Sequence, residues 1–110
     1  MKLPNAESAI VDIRKLRDYC LSESHPEGRH KARVFSARLG ISATDSVALK
    51  AAIEEGILHS EVSAHGQTPH GSRYVVDLDL TWRGKNAIVR TAWMVRNGET
   101  VPRLVSCYVT

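Results

Sequence analysis

The chain has 110 residues, 43% of them apolar and 25% charged, with a formal net charge of +3. That length and balance fit one domain, residues 1–110, with a single core that needs no disulfide or metal staple. They exclude a disordered or low-complexity chain, and no apolar run approaches the ~20 residues needed to span a bilayer. The start lacks an apolar signal core, so the sequence points to a cytoplasmic protein, exported only if attached to a larger carrier chain.

Residues 1–9 read as an extended arm, with Pro4-Asn5 marking a turn. Asp12 is a good N-cap, and Val11 before it can staple onto Leu16. Ile13, Leu16, Tyr19 and Cys20 then recur at helical spacing, while Arg14, Lys15, Arg17 and Asp18 face out. Ser22 to Arg29 reads as a loop, because Pro26 bars the residue before it from helical geometry and Gly28 follows. The spacing predicts a second helix from about His30 to Leu39, burying Ala32, Phe35 and Leu39, with Gly40 as its left-handed cap. A third is expected over roughly Thr44 to Glu55, burying Val47, Ala48, Ala51 or Ala52, and Ile53, and closed by Gly56.

After His59 the character changes. Residues 60–72 are polar, with Gly66, Pro69 and Gly71, and read as a long surface loop. The period then becomes alternating: Tyr74, Val76, Leu78, Leu80 and Trp82 share one face, and Arg73, Asp77, Asp79 and Thr81 the other. Arg83-Gly84 suits a tight hairpin. A two-residue turn there sets Leu80 opposite Ala87, Leu78 opposite Val89, Tyr74 opposite Trp93, and Asp77 opposite Arg90. Asn97-Gly98 turns the chain into a last strand, where Leu104, Ser106 and Tyr108 alternate with Arg103, Val105 and Cys107. The expected fold is α+β: three N-terminal helices followed by a three- to four-stranded antiparallel meander, the fourth strand near Ile57 to Val62.

The run from His25 to Phe35 carries the strongest chemical signal. A loop entering a helix offers unpaired N–H groups and the positive end of the helix dipole. With His30, Lys31 and Arg33 added, it resembles a phosphate site able to exchange a proton and stabilise charge; ordinary surface charge at a solvated helix start is the simpler reading. Arg90 and Arg103 on the charged sheet face are further phosphate candidates, although Asp77–Arg90 also fits a simple cross-strand pair. Five histidines match no metal-motif spacing, so no metal or other cofactor is expected. The two cysteines, Cys20 and Cys107, read as separate, buried, reduced thiols.

The segments Leu3-Pro4-Asn5-Ala6, Leu16 to Leu21, His25 to Phe35, Arg90-Thr91-Ala92-Trp93 and Pro102-Arg103-Leu104 together resemble a family of small bacterial domains of unassigned function. The resemblance covers nearly the whole chain. Its members stand alone beside a small partner gene or form the C-terminal tips of polymorphic toxins. This implies a partner, a small antitoxin or immunity protein. Helices followed by an antiparallel sheet are also similar to the barnase, EndoU, colicin and RelE group of metal-independent ribonucleases. That analogy implies His30, Lys31 and Arg103 as catalytic residues, with His25, Arg33, Arg90 and Thr91 binding substrate, either tRNA or messenger RNA. The alternative from another class is a non-enzymatic interaction module, an immunity or accessory subunit binding an acidic partner. The sequence leaves the oligomeric state open.

Overall fold

Polar capping chemistry and apolar spacing divide the first half of the chain into short helical pieces. The structure, a computed structural model, describes residues 1–110. After a 3-10 turn at Ala6–Ser8, a single α turn, α1 (Ile13–Lys15), continues as a π turn over Leu16–Cys20. The longer helices α2 (Gly28–Leu39) and α3 (Ser46–Gly56) follow, with a 3-10 turn at Ala43–Asp45 between them. The second half is one antiparallel meander of β1 (Val62–Thr68), β2 (Gly71–Trp82), β3 (Lys85–Arg96) and β4 (Arg103–Val109), adjacent in that order. No helix is long and apolar enough to cross a membrane.

The expected layout of three regular helices and a three- to four-stranded meander is corrected in several places. The first helix is one α turn and a π turn, in which the Leu21 N–H donates to the Leu16 carbonyl five residues back, at 2.8 Å. The sheet has four strands, and its first occupies most of the segment expected to be a surface loop, residues 60–72. β1 is an outer strand with Ser63 through Gln67 exposed, so no apolar alternation marks it. The arm, residues 1–9, is not simply extended. Besides its 3-10 turn it pairs with the sheet: the Val62 N–H donates to the Met1 carbonyl at 2.7 Å, and Lys2 bridges to Glu61.

Asp12 caps α1, accepting from the Arg14 N–H at 3.0 Å and from the Arg14 guanidinium at 3.0 and 2.7 Å. Gly40 ends α2 at φ 70°, its N–H turned back onto Phe35 and Ser36. On α3 the buried stripe is Ser46, Leu49 and Ile53; Val47, expected inside, is 75% exposed. Its neighbour Ser46 takes the inward position by closing its hydroxyl onto the Ala43 carbonyl.

The β2–β3 register matches the sequence expectation at Leu80/Ala87, Leu78/Val89, Asp77/Arg90 and Tyr74/Trp93. Its turn has positive φ at both Arg83 (49°) and Gly84 (84°), the twist a tight hairpin requires. β4 departs from the expected alternation. Ala92 pairs with Ser106 and Trp93 with Leu104, leaving Val105 as an extra residue. This bulge moves Cys107 and Val109 into the core beneath Leu104 and turns Tyr108 to the far face, opposite Arg90. One apolar cluster joins Leu16, Cys20 and Leu21, the inner faces of α2 and α3, and the inner face of the sheet.

Candidate functional site

The His25–Gly28 turn is built as a helix cap. The His25 Nδ1 accepts from the Glu27 N–H at 3.0 Å and the Gly28 N–H at 2.9 Å, and the His25 carbonyl accepts from the Arg29 N–H at 3.0 Å. Two of the leading N–H groups of α2 expected to hold an anion, those of Gly28 and Arg29, are therefore already satisfied by protein. Gly28 is required by close approach: a Cβ there would lie 2.0 Å from the Tyr19 carbonyl oxygen. His25 also sets its ring edgewise against Tyr19, with centroids 4.9 Å apart.

Beside this turn lies a cleft of about 470 Å³ lined by Asp12, Arg14, Lys15, Tyr19, His25 and Glu27. It is the larger concavity but a poor phosphate site. Two carboxylates face it, and Asp12 already holds Arg14 through a 2.7 Å ion pair. Arg14 keeps the Asp12 carboxyl charged, lowering its pKa to about 2.

A second groove, of about 330 Å³, has different chemistry. It is lined by His30, Lys31, Val34 and Tyr108, with no carboxylate. It forms because α2 runs along the outer strand β4 and because the Val105 bulge turns Tyr108 outward. Lys31 is positioned from behind: its Nζ donates to the Tyr19 hydroxyl at 3.0 Å and sits 5.0 Å from the Tyr19 ring centroid. That hydrogen bond raises the lysine pKa above its ordinary value, which keeps the Lys31 ammonium charged. His30 is exposed and its ring makes no hydrogen bond to protein. Val34 and Tyr108 are large apolar groups left 39% and 37% exposed, enough to receive a flat ligand.

Tyr108 links this groove to the sheet. Its cross-strand neighbour is Arg90, which donates to both Asp77 carboxylate oxygens at 2.8 and 3.0 Å. Asp77 and then the Tyr108 hydroxyl hold the Arg90 guanidinium more firmly protonated than usual. Two other expected site residues lie elsewhere. Arg103 is five residues from Tyr108 along β4, about 15 Å of strand, and is paired with Glu99 at 3.0 Å. Thr91 is fully buried: its hydroxyl donates to the Val76 carbonyl at 2.7 Å and accepts from the Trp93 indole N–H at 2.7 Å. Arg33 is exposed on α2, outside the groove lining.

Outside α2 seven of the eleven lysines and arginines are in ion pairs, while Lys15, Arg73, Lys85 and Arg96 are not. Lys2, Arg14, Arg17, Lys50, Arg83, Arg90 and Arg103 each contact a carboxylate. The four bases of α2 (Arg29, Lys31, Arg33 and Arg38) have no such partner, and the helix itself carries no acidic residue. Of the residues singled out from sequence, His30 and Lys31 line this groove and Arg33 does not; Tyr108 was not among them, because unbroken alternation through Val105 puts it on the other face. The apolar set Cys107/Val109, out of phase with Leu104, was the available signal for a bulge.

Residues 2–110 match the family model described as "Domain of unknown function (DUF6883)", and the chain belongs to that family. No curated protein matches it. Its fold is similar to a chain of the contact-dependent growth inhibition toxin–immunity protein complex from Klebsiella pneumoniae 342. That likeness has a TM-score of 0.69 and 16% sequence identity, covering 92% of this chain and 99% of that one.

Proposed function

We propose that this domain is the toxic member of a toxin–immunity pair and that it cleaves RNA at the groove between α2 and β4. The observation that carries the reading is the convergence of His30, Lys31 and Tyr108 on one carboxylate-free groove, beside the unpaired bases of α2. An exposed imidazole, a fixed ammonium and an aromatic face suit a nucleotide: a proton acceptor, a phosphate contact and a surface for the base. In the reaction, His30 takes the proton of a ribose 2′-hydroxyl, whose oxygen attacks the adjacent phosphorus. Lys31 opposes the charge that builds on the phosphate oxygens. The 5′-oxygen leaves and takes a proton from water, the hydroxide so formed takes the proton back from His30, and the products are a 2′,3′-cyclic phosphate and a 5′-hydroxyl end.

In this reading Arg33 and the other bases of α2 hold the flanking phosphates, and Arg90 fixes the Tyr108 edge. Arg103, Thr91 and His25 take no part, being placed respectively at the other end of β4, in the core and in the helix cap. The likeness to the Klebsiella complex supports the pairing with a small immunity protein, and the cytoplasm, where RNA is found, is the place of action.

The test is purified protein incubated with total bacterial RNA, comparing wild type with His30→Ala, Lys31→Ala and Thr91→Ser. Cleavage lost in the first two and kept in the third is expected. Intact RNA with folded wild-type protein, or cleavage unchanged in His30→Ala, refutes the assignment. A non-enzymatic subunit that uses the same bases to bind an acidic partner predicts no cleavage and no growth arrest when the domain is expressed alone.

A further inference from the structure

The chain has two cysteines. They lie 87 positions apart, yet the Cys107 N–H donates to the Cys20 Sγ at 3.4 Å. The Ser106 hydroxyl stands 3.8 Å from the same sulfur. Cys20 is the last residue of the π turn and Cys107 lies near the end of β4, so the pair spans two elements joined by no backbone ladder. The wide π turn is what swings Cys20 onto the strand. Both side chains are fully buried, and the 3.4 Å contact brings the Cys20 sulfur against the backbone of Cys107, the one other cysteine of the chain.

We infer that Cys20 and Cys107 are an intramolecular disulfide site, closed by exchange with a low-molecular-weight disulfide such as oxidised glutathione. The inference does not depend on RNA being the substrate. The surroundings assign the order of events. The neighbouring Cys107 thiol, its backbone N–H and the Ser106 hydroxyl, with the charge of Lys31, bring the Cys20 thiol down to about 7, whereas the Cys20 sulfur and then burial push Cys107 up. Cys20 is therefore the attacking thiolate. It bonds to one sulfur of the oxidant and expels the other as a thiolate. Cys107 then gives up its proton and attacks the Cys20 sulfur, releasing the second thiolate. The two protein thiols are oxidised, the reagent is reduced to two thiols, and the two protein protons end on them.

The bond would pin the π turn to the outer strand. Tyr19, which holds Lys31, immediately precedes Cys20, and Tyr108 immediately follows Cys107, so the crosslink fixes both walls of the α2–β4 groove.

The experiment refolds reduced, denatured full-length protein in a glutathione redox buffer, so that burial does not limit access. The products are alkylated in denaturant and their intact mass is measured. Expected is a monomer lighter by two hydrogens with no alkylatable thiol and a Cys20–Cys107 linked peptide. Its Tm should rise by about 10–20 °C over the reduced form, as closing a long loop requires. A persistent glutathione adduct, a disulfide-linked dimer, two thiols still alkylatable in oxidising buffer, or an unchanged Tm would each overturn the inference. Cys20→Ser and Cys107→Ser should each form no intramolecular bond under the same conditions, the remaining cysteine being recovered as a free thiol or a glutathione adduct. Thiol count and mass read these outcomes whether or not RNA is cleaved.

Discussion

Replacing Thr91 by valine tests whether this residue acts in the core or at a substrate. The side chains have nearly the same shape, so the substitution removes hydrogen bonds without opening a cavity. Thr91 and Trp93 are both fully buried, and one hydroxyl serves the Trp93 indole N–H and the Val76 carbonyl, each at 2.7 Å. Stranding the indole N–H costs about 1–3 kcal/mol, and the lost bond to Val76 about 1 kcal/mol more. The extra buried methyl returns about 0.8 kcal/mol, for a net loss of about 1–3 kcal/mol. Against a urea m-value of about 1–3 kcal/mol/M, the unfolding midpoint should fall by roughly 1–2 M with the slope unchanged. Thr91→Ser keeps the hydroxyl and should cost less. Equilibrium urea unfolding followed by Trp fluorescence measures both. A valine variant as stable as wild type, or a serine variant worse than valine, would refute the assignment of Thr91 to the core network.

Three further expectations follow from the helix starts. His25→Ala removes the cap of α2 and should lower stability by about 1 kcal/mol, whereas His25→Asn, which still offers an acceptor, should recover most of it; equal losses in thermal melts would deny the capping role. Gly28→Ala drives a methyl to within 2.0 Å of the Tyr19 carbonyl oxygen, and the backbone must yield, costing about 1–3 kcal/mol or more; a wild-type melting curve would contradict that contact. Asp12 should titrate near 2 by carboxyl carbon NMR, returning toward 3.8 in Arg14→Ala. Because its folded pKa is lowered, the cap stabilises above the unfolded value of about 3.9 and is lost as pH falls through 2.

What was legible in the sequence is what two-sided contrast makes visible. The Tyr74–Trp82 alternation against Ala87, Val89 and Trp93 has an apolar and a polar face, so one register satisfies both strands and the structure adopts it. β1 offers no such contrast, since its middle residues are wet on both faces. The bulge at Val105 inverts side-chain direction partway along β4, and a strictly alternating reading carries the wrong phase to Tyr108. Val47 failed for a related reason: a helix of Val, Ala and Ile has several nearly equal apolar stripes, and the one containing Leu49 and Ile53 is buried. For the site, residue type was informative and geometry was not. His30 and Lys31 share a groove, but His25 is occupied by backbone and Arg103 lies too far along its strand. Pairing is a property of three-dimensional neighbours: the strand register exposed the Asp77–Arg90 pair in advance, whereas the pairs that occupy Arg14 and Arg103 were not read from the sequence.

The composition of α2 runs against its own stability, and this gives the groove a functional weight that the larger cleft lacks. A helix start favours acidic residues and disfavours cations, yet the first turn of α2 holds Arg29, His30 and Lys31 and no acid. Arg29 and Arg33 stand four apart, a like-charge spacing that weakens a helix. The opposite face, Gly28, Ala32, Phe35 and Leu39, is wholly buried, so packing holds the helix in place despite those charges. Elsewhere the same chain follows the stability rules closely: Asp12 caps α1, Asp45 closes a capping box with Ser42, and Lys50 pairs with Glu54 four residues on. A chain that pairs seven of its eleven other bases pairs none of the four on this helix, beside the bulge that turns an aromatic residue toward them. Departures from local stability that converge on a single place are expected where a polyanion binds and supplies the missing negative charge.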